Sequence, residues 1–297
     1  MIDFIISYPA IFLTLVGVLG LIVGSFLNVV IYRLPIMIDY VRRQDCLDFF
    51  DSKTEFHNEV KCYNLAYPKS HCIFCDTPIK IWQNIPIISY LVLRGKCAIC
   101  KSRIPLRYLI VEILACGLSV MVAYEFGFSW ECLNVLIFTW FLIAITFIDI
   151  DHQILPDILT LSLLWIGLLA SCFNLFTNSH DAILGAIIGY SFFWLINALF
   201  KLVRHKEGIG HGDFKLMAAA GAWLGWQILP FVILSSSVLA LIIGGGYLLI
   251  KGKSRTVPIP FGPFIAIAMW IGIIWGFDIT QTYLHFMGMN ILIAPGI

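Results

Sequence analysis

Lysine and arginine are missing from most of this 297-residue chain. None occurs in residues 1–32, 108–200, 216–250 or 256–297; all nineteen fall in three stretches, twelve in 33–107, four in 201–215 and three in 251–255. A nucleic-acid partner is excluded by that segregation, because a binding face needs cations spread along one surface. The net charge of +1 adds nothing about partners. Charge of either sign is scarce: 12% of residues are charged against 60% hydrophobic, and the mean hydropathy is +0.91, outside the range of soluble globular chains. Residues 1–10 carry no basic n-region, so no cleavable signal peptide is expected. The first apolar run continues to about Tyr32 and reads as a span with its N-terminus outside. Also lacking is any strand followed by a glycine-rich turn and a helix, the element that cradles nucleotide-like cofactors.

What fills the gaps between the charges is apolar sequence of membrane-crossing length. A span needs about 20 residues to cross roughly 30 Å of hydrocarbon. Candidate spans cover 9–32, 108–127, 132–148, 157–175, 182–200, 214–229, 231–250 and 263–286. Cytoplasmic loops carry the excess of Lys and Arg, which places all three basic stretches on that side. An even number of spans must then separate consecutive basic stretches; four lie between 107 and 201 and two between 215 and 251, with Pro230 as the expected turn. The expectation is an all-α polytopic membrane protein of about eight transmembrane helices, both termini outside, with a cytoplasmic zinc-binding loop domain. The organisation reads as a first helix (1–32), a cytoplasmic zinc-binding domain (33–107) and a transmembrane domain (108–297). The sixth span is short and interrupted by Gly221 and Gly225.

Residues 33–107 contain two Cys-x2-Cys knuckles, Cys72/Cys75 and Cys97/Cys100, with 21 residues between them. Four thiolates at this spacing can converge tetrahedrally on one zinc ion. The rival reading, a pair of disulfides, conflicts with a reducing cytoplasmic compartment. Four thiolates leave no open coordination position, so the metal is expected to fold the loop and take no part in hydrolysis. Cys46, Cys62, Cys116, Cys132 and Cys172 lie outside this spacing and read as packing residues.

Ionisable residues at the edge of a span are costly and therefore candidates for function. One acidic cluster, Asp149, Asp151 and Asp157, closes the third span and opens the fourth; a second, Gly208-x-Gly210-His211-Gly212-Asp213, opens the sixth. Both fall at cytoplasmic helix ends. Two carboxylates brought together there have the chemistry of an aspartic protease, one ionised to take a proton from water and one protonated to donate to the scissile carbonyl. Gly210 and Gly212 would allow close approach to Asp213. The structural alternative is that Asp157 and Asp213 cap the helices that follow them.

The ordered set of motifs resembles the bacterial type IV prepilin peptidases, the prepilin leader peptidase and N-methyltransferase family. The matching residues are GSFLNVVIYRLP at 24–35, the two cysteine knuckles, Asp149-x6-Pro156-Asp157, Gly-x-Gly-Asp at 210–213 followed by Phe-Lys-Leu, and PIPFGP at 258–263. The resemblance implies an aspartic endopeptidase of the bacterial inner membrane, multi-pass, with its active site facing the cytoplasm. Its implied partners are the lipid bilayer and its substrates, prepilins and the pilin-like proteins of type II secretion, whose basic leader is cut off after a glycine. Methylation of the new N-terminal amine, with S-adenosylmethionine as donor, is implied as well. The family's catalytic residues fall by position on Asp149 and Asp213, leaving Asp151 and Asp157 as supporting or capping residues. Its zinc ligands fall on Cys72, Cys75, Cys97 and Cys100, one zinc per chain.

The methyl-transfer site is expected in the large cytoplasmic loop, with Gly95 as a pointer. Asn28 and Glu112 read as helix-to-helix hydrogen-bonding groups or substrate contacts. His152 and His211 read as solvated interfacial residues, and Trp140, Trp165, Trp223 and Trp226 as residues that anchor or pack spans. The alternative function is an ion-coupled transporter with a structural zinc loop. It would place its ionisable groups near the midplane, often within repeats. Both aspartates instead sit at helix ends and no convincing repeat of the spans is found. A non-catalytic scaffold would leave the acidic motifs without a role.

Overall fold

A computed structural model describes residues 9–49, 64–72, 74–205, 208, 210–246 and 259–286. Cys62, Ile209, the basic stretch 251–255 and Pro258 lie outside the described residues. The chain divides into two compact units, Met1–Phe128 and Ser129–Ile297. The first contains α1 (Pro9–Phe49), the short α2 (Ile88–Val92) and α3 (Leu106–Phe126). The second contains α4 (Trp130–His152), α5 (Asp157–Cys172), α6 (Ser179–Arg204), α7 (His211–Leu224), α8 (Leu229–Leu239, continued by a π-turn at Ala240–Gly244) and α9 (Gly262–Phe286).

Each predicted span coincides with one of these helices, and α1, α3, α4, α6 and α9 contain stretches long and apolar enough to cross a membrane. The protein is a multi-pass, all-helical membrane protein. Among the described residues there are no strands, only two isolated β-bridges in the cysteine loop, His71 with Pro78 and Lys96 with Arg103.

Two boundaries differ from the sequence expectation. The first helix does not stop at Tyr32 but runs through Arg33 and Pro35 to Phe49. Charge ends an apolar run without ending a helix, and Arg33 is buried because its guanidinium donates to the carbonyls of Asn64 (2.9 Å) and Pro68 (2.6 Å). The turn after the sixth predicted span lies at 225–228 and not at Pro230: Gly225 ends α7 at φ 77°, and Pro230 sits in the first turn of α8. Proline is tolerated there because the N–H it lacks has no helical partner at that position.

Lipid offers no hydrophobic drive between helices, so close backbone contact through small residues holds such bundles together. In the second unit α6 and α7 meet at Gly185 and Gly221, where a Cβ on Gly221 would stand 2.1 Å from the Gly185 carbonyl. The glycines that made the sixth span look interrupted are the surface on which it packs. Trp223 fills the adjoining core between Phe138, Phe176 and Gly167 and donates its indole N–H to Leu163 O at 2.8 Å. Trp223 therefore packs spans, as expected, whereas Trp226 is partly exposed and donates to Asp181 Oδ1 at 3.0 Å.

Candidate active site and metal centre

Asp149 lies in the last turn of α4, where Gln153, in the left-handed conformation at φ 53°, closes the helix by donating its N–H to Asp149 O at 2.9 Å. The Asp149 side chain is buried, 5% exposed, and its Oδ2 accepts the backbone N–H of Gly262 at 3.0 Å. Gly262 opens α9, and a Cβ on it would stand 2.7 Å from that same oxygen, so glycine is the residue that lets the amide reach the carboxylate. Asp213 lies in the first turn of α7, 8% exposed, and its backbone N–H bonds Gly210 O at 3.1 Å. The two aspartates belong to one site: Gly212, next to Asp213 in the chain, and Gly262, whose amide bonds Asp149, both pack against Leu155. Leu155 packs beside both: a Cβ on Gly212 would stand 2.5 Å from its Cβ, and one on Gly262 would stand 3.0 Å from its Cδ2.

Neither capping alternative is realised. Asp213 makes no cap bond; the N-cap of α7 is Gly210. The N-cap of α5 is Pro156, and Asp157 pairs instead with Lys215 (Oδ1 to Nζ, 2.6 Å) on the protein surface. Asp151 is exposed as well, as are His152 and His211. Spacing alone does not distinguish Asp149 from Asp151; in the structure Asp149 is buried and bonded by the Gly262 amide, whereas Asp151 is exposed. Sequence reading quoted the 258–263 motif without a role for Gly262, and no local signal ties that glycine to a residue 113 positions earlier.

In the first unit the sulfurs of Cys72, Cys75, Cys97 and Cys100 all lie within 4.8 Å of one another, an arrangement that could hold a metal ion. The two knuckles repeat each other. Cys72 N bonds Thr77 O (3.0 Å) and Asp76 N bonds Cys72 O (2.8 Å); Cys97 N bonds Ser102 O (2.8 Å) and Lys101 N bonds Cys97 O (3.2 Å). Asp76 and Lys101 both take positive φ, 51° and 58°, where each loop turns back. A hydroxyl sits two residues after the second cysteine each time: Thr77 Oγ1 is 3.3 Å from Cys75 Sγ, and Ser102 Oγ is 3.0 Å from Cys100 Sγ. The Ser102 hydroxyl and then its backbone hydrogen bond lower the Cys100 pKa to about 6, which favours the thiolate that a metal needs. The duplicated Cys-x2-Cys-x-Ser/Thr pattern was the sequence signal for these hydroxyls.

Of the remaining cysteines, Cys132 is buried and Cys116 packs 3.7 Å from the position of a Cβ on Gly17. The packing expectation fails for Cys46 and Cys172, which are exposed. Cys172 Sγ lies 3.5 Å from Leu168 O, a local bond along its own helix. Asn28 makes the expected helix-to-helix bond, Nδ2 donating to Tyr108 O at 3.0 Å. Glu112 accepts the backbone N–H of Ile87 at 2.8 Å and also bonds the side chain of Ser25 on α1, the expected helix-to-helix contact. Gly95 has φ 65°, and a Cβ there would meet the Tyr90 hydroxyl at 2.8 Å.

Fold and site together define a multi-pass helical membrane protein with two carboxylates buried at helix ends. Comparison with known proteins narrows the class. Residues 18–126 match the Bacterial Peptidase A24 N-terminal domain and residues 136–245 match the Type IV leader peptidase family. The chain is 49% identical to a protein of Stutzerimonas stutzeri over 96% of its own length and 98% of the relative's. It is 47% identical to one of Pseudomonas aeruginosa (98% and 99%) and 46% identical to one of Legionella pneumophila (95% and 98%). Each of these relatives bears the name prepilin leader peptidase/N-methyltransferase. No solved structure matches. The chain belongs to the type IV leader peptidase family.

Proposed function

We propose that this protein is an aspartic endopeptidase of the bacterial inner membrane that removes the leader from type IV prepilins and pilin-like secretion proteins, cutting after a glycine on the cytoplasmic side. The observation that carries this reading is the burial of Asp149 and Asp213 together, with the Gly262 N–H fixed on Asp149. Like charges so placed do not both ionise readily, so one carboxyl keeps a proton while its partner acts as base. The base draws a proton from water as the water attacks the scissile carbonyl, and the acid protonates that carbonyl oxygen. A substrate with a basic leader joined to an apolar helix would lie with its helix in the bilayer and its cut site at the basic, cytoplasmic surface, the level assigned to both aspartates by the charge pattern.

The relatives' name couples leader removal to N-methylation, and we extend that second activity to this chain with S-adenosylmethionine as donor. The four cysteines hold one structural zinc ion: an all-thiolate set offers no open position for water, so the metal orders the loop and leaves hydrolysis to the aspartates.

The test is cleavage of a synthetic prepilin by purified protein in detergent, compared with Asp149→Asn and Asp213→Asn. Each variant is expected to lose activity by on the order of 10²–10⁴-fold, the range supplied by a positioned acid or base, while it still inserts and folds. Cleavage at the wild-type rate by either variant would remove that residue from the reaction.

A further inference from the structure

The helix α6 carries none of the acidic motifs, yet it touches the chain beside both aspartates. Its buried residues are Ala182, Gly185, Gly189, Phe193 and Asn197, and steps of three or four positions put them on one stripe. The small members receive α7: besides the contact of Gly185 with Gly221, a Cβ on Gly189 would stand 2.5 Å from Met217 O. Asn197 is the one polar side chain of the stripe, and a buried amide needs a partner. Its Oδ1 accepts the backbone N–H of Gly208 at 3.0 Å. Glycine suits that position, since a Cβ there would stand 2.7 Å from Phe200 Cδ1, also on α6. Two residues further on, Gly210 caps α7 and its carbonyl accepts the Asp213 N–H. One turn before Asn197, the Phe193 ring meets the Phe261 ring edge-on, with centroids 6.1 Å apart and planes at 78°. Phe261 precedes Gly262, whose N–H holds Asp149 Oδ2. A second edge-on pair, Tyr190 with Phe214 at 5.9 Å, grips the residue after Asp213.

Asp149 and Asp213 stand on different helices, α4 and α7, so the chain between them does not fix where one lies relative to the other. An acid and a base that share one reaction tolerate little misplacement. The segment that leads into α7 and the segment that leads into α9 are both seated on α6, at Asn197 and at Phe193, one helical turn apart. We infer that α6 is the common platform that sets the two aspartates in register, with Asn197 and Phe193 as positioning residues. Asn197 acts on Asp213 through Gly208 and Gly210; Phe193 acts on Asp149 through Phe261 and Gly262. A helix that only packed would lower stability when cut and leave the turnover of the folded fraction alone. The inference rests on the aspartic reading proposed above and adds the residues that hold its two halves in place.

The test is steady-state cleavage of a synthetic prepilin by the full-length protein in detergent, with the thermal midpoint showing that each variant is folded. Asn197→Leu keeps the volume and removes the acceptor; it is expected to lower kcat about tenfold or more with KM within about twofold of wild type. Asn197→Asp keeps an acceptor for the Gly208 N–H and is expected to turn over at least about threefold faster than Asn197→Leu. Phe193→Leu stays apolar but loses the ring contact with Phe261, and is expected to lower kcat about threefold or more, again at unchanged KM. A folded Asn197→Leu with kcat within about twofold of wild type would overturn the assignment, as would a raised KM at unchanged kcat or an Asn197→Asp no faster than Asn197→Leu. Should Asn197→Leu fail to fold, Phe193→Leu decides, and wild-type turnover in it overturns the platform. Asp149→Asn and Asp213→Asn separate the two layers of the argument. Wild-type cleavage by either removes the aspartic reading and the platform with it, whereas loss of cleavage in both beside an unimpaired Asn197→Leu removes the platform alone.

Discussion

The two units solve the problem of polar groups in an apolar chain in opposite ways. In the first, α1 and α3 close through glycine yet leave a lined cavity, and the segment joining them is organised by backbone hydrogen bonds around four thiols. In the second, α6 and α7 press backbone to backbone, a tryptophan fills the remaining core, and the two buried carboxylates are met by a backbone amide and neighbouring glycines. Among the described residues of 64–105 only Gly95 is buried, so that loop is expected to depend on a bound ion, whereas the second unit holds itself by packing. The difference predicts which perturbation each unit tolerates.

Metal removal should break the contrast most sharply. Stripping zinc with a chelator, or replacing Cys72 and Cys75 by serine, should lower metal content from about one per chain to none. It should also raise hydrogen exchange across 64–105 by orders of magnitude, because metal-binding free energy is folding free energy in such loops. Exchange in α7 should stay protected. Equal loss of protection in both units would show that the metal does more than fold its own loop.

Packing is the complementary target. Gly221→Ala drives a methyl group into the Gly185 carbonyl and should cost about 1–3 kcal/mol, read as a lower thermal midpoint in detergent. Gly117→Ala in α3, where a Cβ would meet nothing within 4 Å, should be neutral or slightly stabilising. A neutral Gly221→Ala would mean that α6 and α7 can separate without penalty. At the site, Gly262→Ala pushes a Cβ toward Asp149 Oδ2 and should lower the rate of leader removal about tenfold or more with little change in prepilin affinity, since small misplacements of a reacting group are expensive. An unchanged turnover would show that the amide contact to Asp149 is dispensable. The smallest effect belongs to Lys215→Met, which breaks a pair whose Asp157 side chain is 61% exposed and should change stability by about 0.5 kcal/mol or less.

How much of this was legible follows from the range of each force. A helix stands at each of the eight predicted spans, five of them long and apolar enough to cross a membrane, because hydropathy is summed along the chain; the cysteine knuckles were readable because their spacing is local. Where a helix outlasts its apolar run, as α1 does past Arg33, the reason lies in carbonyls more than thirty residues away, and hydropathy misses it. The turn at Gly225 was misplaced onto Pro230 because proline interrupts a helix interior but is welcome in a first turn. At the candidate site the motif supplied both aspartates, whereas the Gly262 amide, the surface pairing of Asp157 and the exposure of Asp151 arise only when separate helices meet.

The sequence by itself determined the solvent of this protein, its helical class, the four thiols and the acidic motifs, because composition, periodicity and short spacing act between neighbours in the chain. Only the tertiary structure decided which carboxylates are buried together, which glycines are contact surfaces, and that one stripe of α6 touches the chain beside both aspartates. Those outcomes depend on close approach between helices whose partners are tens to more than a hundred residues apart, and no local pattern encodes that distance.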